Sequence, residues 1–164
     1  MSSEPGPQPE APDRFRSAFE TAGHGMAIVA LDGRFIEVNR ALCDLLGYSE
    51  TELLESNFQT VTHPEDLEAD IGLVAQLLEG AGRSYEMEKR YLHKDGRTIN
   101  ARLSVGLIRD EDGGPRYFVS QIYDITVQKQ QAEVLHGYQA RLELALETAR
   151  AAYWELDLGS QTYS

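Results

Sequence analysis

The pattern of apolar and polar residues predicts two groups of β-strands separated by a helical stretch. Asp32-Gly33 joins the two strands of the first group, and Asp95-Gly96 joins the first two strands of the second group. Such dipeptides are typical of tight turns between antiparallel strands. The predicted strands are 26–31, 35–38, 84–92, 99–105 and 116–123. Because short turns join strands that pair antiparallel, we expect an antiparallel sheet.

Helix-start and helix-end signals place short helices between the two groups of strands. Asn39 can cap a helix that ends at Gly47, and Ser49 with Glu52 matches a capping box. His63-Pro64-Glu65-Asp66 begins a longer helix, since proline suits the first turn and acids suit its positive end. The apolar positions of that longer helix are Leu67, Ile71, Val74, Leu77 and Leu78. A further helix is predicted before the first strand, at 12–22.

This order of elements, with the short motifs at its junctions, resembles the PAS family. The motifs are Leu31-Asp32-Gly33-Arg34, Val38-Asn39, Leu46-Gly47-Tyr48-Ser49, His63-Pro64-Glu65-Asp66, Lys94-Asp95-Gly96-Arg97 and Asp124-Ile125-Thr126. Each is short, but their order and spacing together are specific. The resemblance implies an α+β fold: a PAS-like five-stranded antiparallel sheet with helices on one face, flanked by N-terminal and long C-terminal helices.

The chain is expected to hold one complete domain and the beginning of another. The predicted segments are a flexible tail at 1–13, a PAS domain at 14–126, an outgoing signalling helix at 127–149 and the truncated start of a second PAS domain at 150–164. The last segment rests on a repeat, because Phe19-Glu20-Thr21-Ala22 matches Leu146-Glu147-Thr148-Ala149. The alternation in Trp154-Glu155-Leu156-Asp157-Leu158 then predicts a strand. Chance similarity between two amphipathic helices is the alternative.

Charge and cysteine content narrow the expected partners and compartment. Fifteen basic and 27 acidic residues give a net charge of −12 without a basic patch, so we expect no nucleic-acid binding and no membrane contact from this segment. No apolar stretch approaches the ~20 residues of a membrane helix. Cys43 is the one cysteine and cannot form an internal disulfide, which favours a reducing, cytoplasmic setting.

The chemistry-bearing residues do not form an enzyme or metal signature. His24, His63, His93 and His136 lie in different predicted elements, without metal-ligand spacing. Phosphate-loop and nucleophile-elbow patterns are absent from the sequence. The remaining acidic residues are interpreted mostly as a solvated face. The sequence therefore predicts a regulatory domain without catalytic or metal sites.

The family resemblance also bears on cofactors. Light-oxygen-voltage photoreceptors resemble PAS domains and carry a reactive cysteine in the segment matching Glu55 to Thr60, where this chain has none. The positions that would hydrogen-bond the flavin match Tyr91, Ala101 and Ile122, which offer little amide chemistry. Haem-binding PAS domains use a histidine on the helix matching Leu67 to Glu79, and none occurs here. We therefore expect neither flavin nor haem, and predict no cofactor.

Inward-facing positions of the strands define a candidate ligand pocket between the sheet and the helices. These positions are Ala27, Val29, Met87, Tyr91, Ala101, Leu103, Val105, Phe118, Ser120 and Ile122. Several of them are small, which leaves room for a small organic ligand. The alternative is an ordinary close-packed core.

The last strand leads into the long helix through a short signal junction, Asp124, Ile125 and Thr126. Asp124 and Thr126 can cap the helix, while Ile125 anchors the junction in the core. Leu135, Tyr138, Leu142, Ala145 and Ala149 follow the 3-4 spacing of a coiled-coil seam. The same residues suit the first helix of a second domain equally well.

These features predict a PAS sensory and dimerisation module that relays a signal to a downstream output domain. The homodimer surface is expected on the outer face of the sheet and on the two terminal helices. The resemblance implies an output domain that is a histidine kinase or an enzyme of cyclic-dinucleotide metabolism, such as a diguanylate cyclase. A small-ligand or cofactor sensor with an occupied pocket is the alternative function.

Overall fold

The computed structural model describes residues 10–161, which form six helices and five strands. In chain order the elements are α1 Ala11–Thr21, β1 Gly25–Val29, β2 Phe35–Val38, α2 Arg40–Leu46, α3 Glu50–Leu54, α4 Phe58–Val61, α5 Pro64–Leu78, β3 Ser84–Leu92, β4 Thr98–Arg109, β5 Pro115–Asp124 and α6 Thr126–Gln161. The predicted tail at 1–13 lies mostly outside the described residues. Its last part, from Ala11 onward, is helical.

The strands form one antiparallel sheet in the order β2-β1-β5-β4-β3. The last strand, β5, therefore lies in the centre, between β1 and β4. Alternation along β4 buries Ile99, Ala101, Leu103 and Val105, while Arg102 is exposed. This sheet with its helices confirms the predicted PAS-like α+β fold.

Local signals account for the helices over the sheet. Asn39 caps α2 by accepting from the Leu42 amide, and Gly47 ends the helix at a φ of 78°. Ser49 and Glu52 form the predicted capping box of α3. His63 caps α5, with its Nδ1 accepting from the Glu65 amide.

Asn39 also connects the first elements of the domain to one another. Its carboxamide oxygen accepts from the amides of Met26 and Leu42, and its nitrogen donates to the carbonyls of Phe19 and His24. The residue is fully buried, so these bonds replace the water that it loses on folding. One side chain thus joins the end of α1 to β1 and α2.

The chain divides into two compact units at the bond between Ile125 and Thr126, and α6 forms the second unit by itself. Its large apolar side chains are exposed, from 52% for Leu146 to 75% for Leu156. None of the helices within residues 10–161 has the length and apolar character needed to cross a membrane.

The predicted strand at Trp154 to Leu158 is wrong, because these residues lie within the 36-residue helix α6. A lone strand would leave its backbone N–H and C=O groups without partners, whereas a helix pairs them within the segment. Whether 150–164 begins a second PAS domain stays a prediction, and residues 162–164 lie outside the described range.

Candidate functional site: a buried ion pair at the cavity under the helices

A small cavity lies between the inner face of the sheet and the helices that cover it. Its volume is about 30 Å³, which is room for about two water molecules. Its walls come from β1 to β5 and from α2, α4 and α5. The lining residues are Val29, Phe35, Leu42, Leu46, Phe58, Asp70, Val74, Tyr85, Lys89, Tyr91, Leu103, Val105, Phe118, Ser120 and Ile122.

Most of the predicted pocket residues border this cavity. The ones that do are Val29, Tyr91, Leu103, Val105, Phe118, Ser120 and Ile122. Ala27 and Ala101 are fully buried in the core, and Met87 packs against it, but none of these three lines the cavity. That the lining residues bind a ligand stays a prediction.

A buried ion pair occupies one side of the cavity. Lys89 of β3 places its Nζ 2.5 Å from Oδ2 of Asp70 on α5, and each side chain is only 1% exposed. Two charges removed from water are tolerated when they compensate each other and their other polar atoms are hydrogen-bonded. Both residues line the cavity.

Polar and aromatic neighbours complete the surroundings of the pair. The Tyr85 hydroxyl donates to Oδ1 of Asp70 at 2.8 Å, and Lys89 Nζ donates to the Thr62 hydroxyl at 2.9 Å. The same Nζ lies 4.3 Å from the ring centroid of Tyr91 and 5.3 Å from that of Phe58. Aromatic faces attract a cation at such distances, most strongly where water is excluded.

Burial determines how these groups titrate. Loss of hydration lowers the pKa of the Lys89 ammonium, although the negative charge of Asp70 opposes that change. Burial, together with the Asp70 charge, raises the pKa of the Tyr85 hydroxyl far above its usual value. Tyr85 therefore remains a hydrogen-bond donor towards Asp70 throughout the physiological range.

Sequence reasoning missed this ion pair, although the pattern along each element could have placed each of the two residues separately on an inward face. Alternation along β3 puts Lys89 on the same side as Tyr91, facing the helices. Asp70 precedes Val74 by one helical turn and is buried, whereas Ile71, one of the apolar positions of the predicted helix, is 45% exposed. The acidic residues are thus not all solvated, because Asp70 lies in the core.

A second, more exposed cluster joins the start of α5 to β3. Asp66 Oδ2 accepts from the backbone amide and the Nε of Arg90, and its Oδ1 accepts from Nη2 of the same arginine. Glu65 also binds that guanidinium, at 2.9 Å. The hydrogen bonds from Arg90 lower the pKa of Asp66 from 3.8 to about 2. These acids therefore hold the helix on the sheet as well as suiting its dipole.

The predicted signal junction follows the central strand directly. Ile125 is buried, and its amide donates to the carbonyl of Asn100 on β4 at 2.9 Å. Asp124 is the exposed last residue of β5, and Thr126 is the first residue of α6. Ile125 thus anchors the end of β5 to the adjacent strand.

Comparison with known proteins assigns the fold to a family. Residues 13–125 match the family described as the PAS fold, which is most of the chain. The chain belongs to the PAS family. Within the described residues, the PAS domain has no group of three or more His, Cys, Asp or Glu side chains arranged to hold a metal ion.

Relatives of this PAS domain are signalling proteins. The chain is 40% identical over 155 residues to the probable diguanylate cyclase DgcE of Escherichia coli (strain K12), which covers 94% of this chain and 14% of that protein. It is 30% identical over 129 residues to the sensor histidine kinase TmoS of Ectopseudomonas mendocina, covering 79% of this chain and 13% of that protein. The chain therefore spans only a small part of the length of these two relatives.

Solved PAS structures share the architecture. A PAS domain from Colwellia psychrerythraea superimposes with a TM-score of 0.66 at 24% identity, covering 71% of this chain and 98% of that one. An RNA-binding light-oxygen-voltage receptor reaches a TM-score of 0.67 at 17% identity, covering 79% of this chain and 37% of that one. At these identities the likeness concerns the fold alone.

The light-oxygen-voltage likeness raises the question of a flavin. A cavity of about 30 Å³ does not accommodate the three-ring flavin system in this conformation. The polar side chains that line it are the charged Lys89 and Asp70 and the hydroxyl-bearing Tyr85, Tyr91 and Ser120, not the amides that suit a flavin edge. The expectation that neither flavin nor haem is bound stays a prediction.

Proposed function

We propose that this PAS domain relays a signal from its sheet to an output domain of the same chain, through Asp124, Ile125 and Thr126. One observation carries the proposal: the strand that leaves the domain, β5, is the central strand and pairs with both β1 and β4. A change on either side of the sheet therefore reaches the strand that continues into α6. The domain itself acts without catalysis, in the cytoplasm.

The output domain is of the diguanylate cyclase or histidine kinase kind. Proteins of both kinds contain a segment similar to this chain. The domain works as a homodimer, in which α6 joins the two copies. Because the helix continues to Gln161, the 3-4 spacing of apolar residues extends beyond the segment predicted from the sequence. The extended seam is Leu135, Tyr138, Leu142, Ala145, Ala149, Ala152 and Leu156.

The seam favours a second copy of α6 as its partner. Its leucines and Tyr138 are more than 60% exposed, so the helix has an apolar stripe that its own unit does not cover. A self-complementary stripe of this spacing is the pattern that two-stranded coiled coils bury. Two such helices would bring two output domains together, which suits enzymes that work in pairs.

Replacing Asp124 with Ala in the full-length parent tests the relay. We expect the stimulus dependence of the output activity to fall by a factor of about 5–150. This factor corresponds to the loss of an ordinary coupling free energy of about 1–3 kcal/mol. The matched control is Glu111→Ala, which removes an exposed carboxylate from the β4–β5 turn. Unchanged regulation in the Asp124→Ala protein, with circular dichroism matching the parent, would refute the relay.

A second function, sensing of a small ligand, is favoured by the ion pair at the cavity wall. A core stabilised only by packing would gain nothing from placing Lys89 and Asp70 beside a void. Mass spectrometry of the denatured extract of the purified protein tests this function. A stoichiometric small molecule is the expected result, and an extract without one, from cells grown under inducing and non-inducing conditions alike, contradicts it.

A further inference from the structure

Two opposite charges border the same small cavity, and a ligand must be compatible with both. Lys89 and Asp70 are each 1% exposed, and their charged atoms are in direct contact. The walls around them are apolar or aromatic, apart from the hydroxyls of Tyr85, Tyr91 and Ser120. The polar side of the cavity therefore carries a positive and a negative group but no net charge.

This balance disfavours a charged ligand. An anion that approaches Lys89 also approaches the carboxylate of Asp70, and a cation that approaches Asp70 meets the ammonium of Lys89. Either ion would add an uncompensated charge to a site removed from bulk water, which costs far more than burying a neutral polar group. A neutral molecule leaves the charges of Lys89 and Asp70 compensating each other.

Counting hydrogen-bonding groups gives the chemistry of the neutral ligand. An ammonium has three donors, and two of those on Lys89 are used by the Thr62 hydroxyl and Asp70. The carboxylate of Asp70 can accept about four hydrogen bonds, and it accepts one from Tyr85 and one from Lys89. One donor and further acceptor positions thus remain, side by side.

We propose that the cavity binds a small, uncharged, planar molecule in which a carbonyl group stands beside an N–H group, such as an amide or a ureide. Lys89 donates to the carbonyl oxygen, and Asp70 accepts from the N–H. The rings of Phe58 and Tyr91 flank the ammonium and provide flat apolar surface beside it. The inference rests on the ligand-sensing function proposed above and names the class of ligand.

Three small molecules of one shape test the class directly. Acetamide, acetate and acetamidinium have the same planar skeleton and differ in charge, and their size suits a cavity with room for about two waters. Each is titrated into the isotope-labelled chain at matched ionic strength, with the amide signals of Lys89 and Tyr91 as the readout. Gly113, in the β4–β5 turn and outside the cavity lining, serves as the internal control.

The expected result is saturable binding of acetamide, with a dissociation constant no tighter than tens of micromolar for so small a molecule. Acetate and acetamidinium should bind at least about tenfold more weakly. The triple variant Asp70→Leu/Tyr85→Phe/Lys89→Met keeps the site filled with side chains but removes its polar groups. It should lose acetamide binding while its other amide signals keep their dispersion.

Each other outcome overturns a distinct part of the proposal. Acetate or acetamidinium binding as tightly as acetamide refutes the uncharged class but leaves ligand sensing in place. Acetamide binding that persists in the triple variant refutes the roles of Lys89 and Asp70. Saturation by none of the three probes refutes the amide class, whereas a denatured extract without a stoichiometric small molecule refutes ligand sensing itself.

Discussion

Lys89 on β3 and Asp70 on α5 connect the sheet to the helix that covers it through a contact of 2.5 Å between Nζ and Oδ2. The contact lies inside the hydrophobic core, beside the cavity, and not on the surface. Tyr85 and Thr62 bind its two ends, so that the charges and much of their hydrogen-bonding capacity are satisfied within the protein.

Breaking this pair should cost more stability than replacing it. Asp70→Asn leaves the Lys89 ammonium buried without a counter-charge, and we expect the free energy of unfolding to fall by about 3 kcal/mol. The triple variant Asp70→Leu/Tyr85→Phe/Lys89→Met replaces the charges with apolar side chains of similar size. It should stay within about 1 kcal/mol of the parent or exceed it. Urea denaturation at neutral pH measures both.

The pH dependence of stability shows whether the Asp70→Asn variant is destabilised by an unpaired charge or by poorer packing. Burial lowers the pKa of Lys89 below its ordinary 10.5. Between the lowered pKa and 10.5, the folded state therefore binds fewer protons than the unfolded state. Stability lost at neutral pH should therefore be regained as the pH rises towards 10.5. A loss that is constant with pH would indicate a packing defect and contradict the electrostatic account.

Asp66 should contribute stability that acid removes. Its pKa is about 2 when folded and 3.8 ordinarily, so its contribution is full above about pH 4 and is lost as the pH falls through 2. Asp66→Asn should lower the free energy of unfolding by about 1 kcal/mol at neutral pH, after allowance for solvent screening. The difference from the parent should shrink as the pH falls towards 2 and vanish below it. Glu68→Gln, on the exposed side of α5, is the control and should show little change.

Two glycine-to-alanine changes should have opposite effects. Gly47 has a φ of 78°, and a Cβ there would overlap the His93 ring, so Gly47→Ala should destabilise the domain by at least about 1 kcal/mol. Gly72 lies in α5 with open space around it, so Gly72→Ala should stabilise by about 0.5–1 kcal/mol. Thermal unfolding of the two variants measures the contrast, and equal signs would contradict it.

The seam on α6 should determine the oligomeric state. Leu142 lies on the seam and Leu144 lies off it, and their exposures are similar, at 62% and 65%. Leu142→Glu should weaken self-association at least about tenfold, because two buried carboxylates would face each other, whereas Leu144→Glu should leave it nearly unchanged. Sedimentation equilibrium measures both. A parent chain that is monomeric at all concentrations, or equal effects of the two changes, would contradict the homodimer.

Local chemistry made much of the fold predictable. The bounds of β3 follow from its alternation and flanking turns, and the start of α2 follows from Asn39, because these signals act within a few residues of the structure that they specify. The buried pair was not predictable in this way. Lys89 and Asp70 come together only because α5 packs on β3, and sequence pattern does not give that packing.

Two further differences between the sequence pattern and the structure arise from tertiary packing. Ile71 is one of the apolar positions of the predicted helix, but it is exposed, because α5 packs Asp70, Val74 and Leu77 into the core at the spacing of one helical face. Trp154 to Leu158 alternate like a strand, yet they continue α6 because no neighbouring strand within the described residues pairs with them. In each case the surroundings, rather than the local pattern, determined the outcome.

The central position of β5 also has a consequence for biosynthesis. Gly25, near the start of the domain, pairs with Ile122, near its end, so the sheet closes only when almost the whole domain has been made. Until β5 leaves the ribosome, the β1–β2 and β3–β4 hairpins each present an unpaired edge to whatever is nearby. The strand that continues into α6 is thus also the one whose synthesis lets the two hairpins join into a single sheet.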